Sequence, residues 1–105
     1  MSSETQFKKG TLELCVLALI NKKKRYGYDL VCSLRDSGLL VAEGTLYPIL
    51  SRLGKEGLVE HSWVESNQGP PRKYYEITPS GRRLLEKEKK EWRKISKGVN
   101  KIVNS

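Results

Sequence analysis

Within "GTLYPILSRLGKEGLVE", residues 44–60, the side chains fall into two sets. Leu46, Ile49, Leu50 and Leu53 recur at the i, i+3, i+4, i+7 spacing of one buried helical face, and Gly57 supplies a stop. Thr45, Tyr47, Pro48, Ser51, Arg52 and Lys55 make up the opposite side. Hydroxyls, a phenol and a guanidinium can bond phosphate oxygens and base edges, so this side has the chemistry of nucleic-acid recognition; a solvated face is the alternative. Lys55, near the helix end, also suits the helix dipole. A second group follows in "NQGPPRK", where Arg72 and Lys73 stand just past a Pro-Pro turn with Asn67 and Gln68 beside them. Such a tip either reaches phosphates or a minor groove, or is simply an exposed charged turn. A third group, Lys22 to Arg25 in "NKKKR", offers nonspecific phosphate contact or a solvated loop.

Catalytic chemistry finds little support. His61 is the one histidine, and no Cys or carboxylate cluster has metal-ligand spacing. Neither a nucleophile elbow nor a phosphate-cradling glycine loop occurs, so no catalytic residue, metal or cofactor is expected. His61 reads as an ordinary strand residue, with a pH-sensitive group near the tip as the alternative.

Composition agrees with a polyanion as partner. Twenty Lys and Arg against twelve Asp and Glu give +8 at pH 7, which suits DNA, RNA or an anionic membrane surface and does not choose among them. Cys15 and Cys32 lie inside apolar helical patterns, so buried free thiols in a reduced compartment are expected. "MSSETQFKKG" lacks the apolar core of a signal peptide, and "LCVLALI" is too short to span a bilayer, so a cytoplasmic chain is expected, neither secreted nor embedded. At 105 residues, one small domain that gains from a partner is the default.

These groups must be held by a small set of elements. From Thr11 to about Asn21 the chain is apolar almost all round, which predicts a helix covered on more than one side, the second cover being another subunit. "YDLVCSLRDSG" is a second helix with Leu30, Val31 and Leu34 inward and Gly38 as its stop, and "LLVAE" leads into the third. If that third helix begins near Glu43 or Gly44, Pro48 ends its first turn and removes at most one hydrogen bond. "LVEHSWVE" and "RKYYEIT" read as two strands joined through "SNQGPP", a hairpin in which Tyr74 and Tyr75 point to opposite faces. Thr78 and Pro79 form a cap and first-turn proline for a long helix that runs nearly to the end. Along it Leu85, Glu88, Trp92, Ile95, Val99 and Ile102 are spaced 3, 4, 3, 4, 3, a heptad seam interrupted by Glu88 and weakened by Gly98, best met by a second copy.

Three helices, a hairpin and a long helix make an α+β, mostly α, winged helix-turn-helix: residues 1–78 form the DNA-binding part and 79–105 a dimerisation helix, in one compact unit. In that arrangement the third helix enters the major groove, which makes Thr45, Tyr47, Ser51 and Arg52 the contact face and Arg72 and Lys73 the wing. "YGYDL", "GTLYPILSRLGKEGLVE" and "GPPRKYYEITPSGRRLL" together resemble the PadR family of bacterial transcriptional regulators, in its short C-terminal-helix branch, over roughly residues 10 to 95. The resemblance implies a cytoplasmic homodimeric repressor that binds a palindromic operator and is released by a small molecule or stress signal. It also implies that Tyr26, Thr45, Tyr47, Arg72 and Lys73 sit at or near DNA. Trp92 matches the position from which multidrug-responsive relatives stack a tryptophan on planar aromatic effectors, with plain interface packing as the alternative; Glu88, one turn earlier, lies in that pore or at its rim. A winged-helix module for protein contacts or RNA, without operator specificity, is the competing reading, although no stacked-aromatic platform for single strands is evident.

Overall fold

The computed structural model describes residues 3–39 and 41–105. The first two residues of "MSSETQFKKG" and the second leucine of "LLVAE" therefore lie outside the described residues. Among the described residues the order is α1 (Ser3–Lys22), β1 (Arg25–Tyr26), α2 (Gly27–Asp36), α3 (Glu43–Lys55), β2 (Val59–Ser66), β3 (Gly69–Ile77) and α4 (Pro79–Val103). The sheet is antiparallel in the order β1-β3-β2, which completes a winged helix-turn-helix with a long final helix.

Amphipathic patterning puts the core where the spacing predicts. Leu30, Val31 and Leu34 of α2 meet Leu46, Ile49, Leu50 and Leu53 of α3, all buried, beneath Val16, Leu17 and Ile20 of α1. Burying an aliphatic side chain of this size contributes about 1.5–3 kcal/mol, so these ten residues supply most of the drive to fold. Val59 and Tyr75 close the core from the sheet, and Leu85 closes it from the first turns of α4. Leu12, Leu14, Cys15, Ala18 and Leu19 of α1 are only partly covered, as expected for a helix with a second apolar side.

Four local expectations need correction. α1 begins at Ser3, well before Thr11, because the polar residues ahead of the apolar run continue the helix. The basic segment before α2 is not all loop: Arg25 and Tyr26 form a short strand opposite Tyr75 and Tyr74, a pairing that depends on residues fifty positions away. The hairpin tip shrinks to Asn67 and Gln68, since Ser66 already pairs with Gly69. Pro70 and Pro71 are thus part of β3, tolerated because β1 reaches only as far as Tyr74 and a register shift between Val64 and Ser66 loosens the ladder there. Finally, both thiols are free but half-buried rather than buried; partial burial pushes the Cys15 thiol pKa up. Pro48 is the sixth residue of α3 and so removes one bond, to Gly44, at an exposed position.

The junction into α4 is the tightest point. Thr78 caps the helix by accepting from Gly81 N at 3.0 Å, while its own hydroxyl donates to Gly57 O at 2.7 Å and its N–H to Leu58 O at 3.1 Å. A side chain on Gly81 would collide with the Leu58 carbonyl and with Ile77. Gly81→Ala is therefore expected to lower stability by about 1–3 kcal/mol or more, because backbone on both sides must move. Thermal unfolding checks this, and an unchanged Tm would refute the crowding.

Candidate nucleic-acid interface

The exposed side of α3 is built by default: once Leu46, Ile49, Leu50 and Leu53 are committed inward, the other positions face out. At about 100° per residue, Gly44, Pro48, Ser51 and Lys55 form the outermost strip, all exposed. Thr45 and Arg52 lie along one edge of that strip and Tyr47 along the other. The strip is lined by small side chains, Gly44, Pro48 and Ser51, which lets another surface approach the helix backbone closely. The residue types alone pick out Pro48, Ser51 and Lys55 of this strip together with both edges, but pass over Gly44; plotting the helix by angle finds it.

The two edges differ. Tyr47 is 45% exposed, yet its ring is seated on α2, where a Cβ at Gly27 would come within 2.9 Å of it. Its hydroxyl also lies close enough to Tyr75 to raise the latter's pKa, after the larger effect of burial. Arg52 is held by a bidentate pair with Glu13 of α1, Nη2 to Oε2 at 2.9 Å and Nη1 to Oε1 at 3.4 Å, and by Glu56 at 3.5 Å. The hydrogen bond to Glu13 pushes its pKa further up. The geometry thus does not bring Arg52 to the strip as a free cation; it ties α3 to α1.

On the sheet, alternation separates the basic residues of the tip. Arg72 lies on the outer face, its guanidinium 4.6 Å from the centre of the Tyr26 ring, and Tyr26 meets Tyr74 edge-on at 5.3 Å. Lys24 continues the row, 5.6 Å from Tyr74. Lys73 lies on the face that carries Tyr75, 5.6 Å from its ring and 5.9 Å from Trp63. Each cation is held over an aromatic ring, and Lys24 and Arg72 remain exposed, which limits the freedom lost on meeting a phosphate. Lys24 comes from the basic segment that the sequence already marked for phosphate contact, whereas Trp63, 64% exposed, is a member of these rows that no sequence reading took for a contact. Arg25 goes the other way: 9% exposed, it donates from Nε to Leu19 O at 2.9 Å and from Nη1 to Ser33 Oγ at 2.7 Å, with Asp29 at 3.6 Å. It fastens α1 to α2 and is not available to a phosphate, unlike the exposed Lys22, Lys23 and Lys24.

Among the described residues no cluster of three His, Cys, Asp or Glu could hold a metal, and no helix is long and apolar enough to cross a membrane. The family model for PadR-like transcriptional regulators matches residues 16–87. The chain belongs to the PadR-like family. Its structure superposes on a PadR-like transcriptional regulator of Bacillus cereus with TM-score 0.85 and 42% identity, covering 95% of this chain and 98% of the other. A PadR-like transcription factor of Bacteroides fragilis gives TM-score 0.81 at 42% identity, over 94% and 96% of the two chains. A transcriptional regulator of Mycobacterium tuberculosis is 30% identical over 96 residues, 90% of this chain and 87% of that protein. The chain is a DNA-binding transcriptional regulator by family and not an enzyme.

The candidate effector residues, Trp92 and Glu88, lie on α4. Trp92 is 38% exposed and begins an uncovered apolar row with Ile95, Val99 and Ile102. Glu88, one turn before it, is half-buried, and its Oε2 finds no hydrogen-bond partner among the described residues. Burial raises its carboxyl pKa, Glu13 and Glu91 add to the rise, and Arg52 and Lys87 oppose it. Because the folded pKa lies above the ordinary value of 4.5, ionised Glu88 costs stability above the folded pKa, and the cost fades as pH falls through that pKa to the ordinary value. Glu88→Gln should therefore raise Tm at neutral pH, with the two proteins converging as pH approaches 4.5. Equal Tm values at neutral pH would contradict this placement.

Proposed function

We propose that the chain acts in the cytoplasm as a homodimeric repressor of a palindromic operator, released by a small molecule or stress signal. The single observation that carries the dimer is the row Trp92, Ile95, Val99 and Ile102 on α4, from 38% to 79% exposed at heptad spacing. An apolar seam of this kind is stable in water only when covered, and a second α4 offers the same seam in return. Two-fold symmetry then supplies two α3 helices, and a palindrome is the DNA that matches them.

On each half-site the α3 strip enters the major groove, with Thr45, Tyr47 and Ser51 bonding base edges or phosphates. Arg72, braced by Tyr26, and Lys73 engage the neighbouring backbone or minor groove. Arg52 acts through its pair with Glu13, fixing the angle of α3 on α1. Trp92 and Glu88 line the space between the two α4 helices, where a planar aromatic effector would stack on the indole and place a polar group at the carboxylate. A compound seated there would alter the spacing of the two α3 helices and so the fit to the operator.

Two experiments test this reading. In fluorescence-anisotropy titrations, a duplex selected from genomic fragments should bind at least about 10³-fold more tightly than a scrambled one. Tyr47→Ala should cost about 1–3 kcal/mol of that affinity, and Arg72→Ala should reduce the salt slope by about one. Equal binding to both duplexes would favour the module without operator specificity. Sedimentation velocity should show a dimer that Ile95→Glu converts to a monomer with its helical signal intact; a monomeric parent chain would remove the symmetry argument.

A further inference from the structure

A second cationic surface lies on α4, away from α3 and the wing. Arg83, Lys87, Lys90, Lys94, Lys97 and Lys101 are spaced 4, 3, 4, 3, 4, and all are exposed. At about 100° per residue they fall in one stripe, centred about 140° round the helix from the Trp92–Ile102 seam. From residue 83 to residue 101 no other residue type enters that stripe. Glu86, Glu88 and Glu91 all lie outside it, and the Lys89–Glu86 ion pair is off the row. Among the described residues none of the five lysines takes part in an ion pair, and Arg83 donates only to Ser80 Oγ at 3.0 Å.

Helix stability does not explain the stripe. Like charges at i,i+3 and i,i+4 repel, and this row contains five such neighbouring pairs; Glu86 and Glu91, flanking it, are spaced to offset Arg83, Lys87, Lys90 and Lys94, but Lys97 and Lys101 have no acid at either spacing. The dipole favours cations only in the last turn, where Lys101 sits; yet the first turn has no acid and is followed directly by Arg82 and Arg83. Nor is the stripe part of the core packing: the buried residues of α4 are Gly81 and Leu85, in its first turns, and its neighbours are α1 and β3.

We infer that this stripe is a second, sequence-independent site for duplex DNA, holding the phosphate backbone of a segment other than the one met by α3. At 1.5 Å per residue it is about 27 Å long, and duplex DNA presents one charge per ~1.7 Å of axis, so the row passes roughly sixteen phosphates. A second copy on the seam leaves it open, because stripe and seam point nearly opposite ways. The same geometry disfavours an anionic membrane: a helix with its seam in the lipid would turn these lysines to water, away from the headgroups. The inference is independent of how α3 reads an operator, which the Tyr47 and Arg72 variants test separately.

The experiment compares the parent protein with a K87Q/K90Q/K94Q/K97Q/K101Q variant, binding a scrambled duplex across a series of salt concentrations. Gln preserves helix propensity while removing charge. Each engaged lysine contributes about 0.9 to the salt slope, so the variant should lose roughly 3 or more, with at least a tenfold weaker affinity at low salt. A matching variant with the five lysines changed to Arg should keep the parent slope. An unchanged slope in the Gln variant overturns the inference, and so does loss of binding in the Arg variant, which would make charge irrelevant. Binding of the parent to phosphatidylserine vesicles that the Gln variant loses, with its duplex slope unchanged, would overturn it in favour of a membrane.

Discussion

The hydroxyl of Thr78 is used twice, and the relative placement of every functional element depends on it. As donor it holds the turn that ends α3, and as acceptor it starts α4, while the backbone of the same residue is bonded to the root of β2. A hydroxyl can serve both roles at once, and at 9% exposure water does not compete for either. Gly81 makes the joint compact by letting Leu58 approach without a Cβ between them. Helix α3, the β2–β3 hairpin and α4 are thus joined through a few bonds within one small volume.

A second tie runs between the same elements through charge. Arg52 leaves the exposed strip of α3 to pair with Glu13 on α1, and α1 in turn packs against α4, where Glu88 feels the charges of Glu13 and Arg52. A carboxylate whose buried oxygen has no hydrogen-bond partner among the described residues is an unfavourable arrangement for a folded chain to carry, and this one lies on α4 within reach of Arg52 on α3. In the proposed dimer, covering the seam would change the surroundings of this carboxylate, and the Glu13–Arg52 pair links its neighbourhood to α3.

Much of this was legible in the sequence. The 3.6-residue period set the core faces of α2 and α3, Thr78 and Pro79 marked the start of α4, and alternation separated Tyr74 from Tyr75. The same alternation, applied one step further, would have separated Arg72 from Lys73. What was not legible depended on distant partners. β1 is a strand only because β3 lies beside it; Arg25 turns inward because Leu19 O and Ser33 are there to receive it; Arg52 is diverted by an acid thirty-nine residues earlier. In the last two cases a basic residue that sequence alone offers to a polyanion is claimed by the fold, so the net charge of +8 overstates what α3 and the wing present.

In the proposed complex the α3 strip and the wing tip are the surfaces that meet operator DNA. Amide hydrogen exchange of the full chain with and without a selected duplex tests it most directly, because it reports every segment without altering any. Slowed exchange in peptides covering residues 44–55 and 62–73 is expected. Operator binding that left both segments unprotected would contradict it.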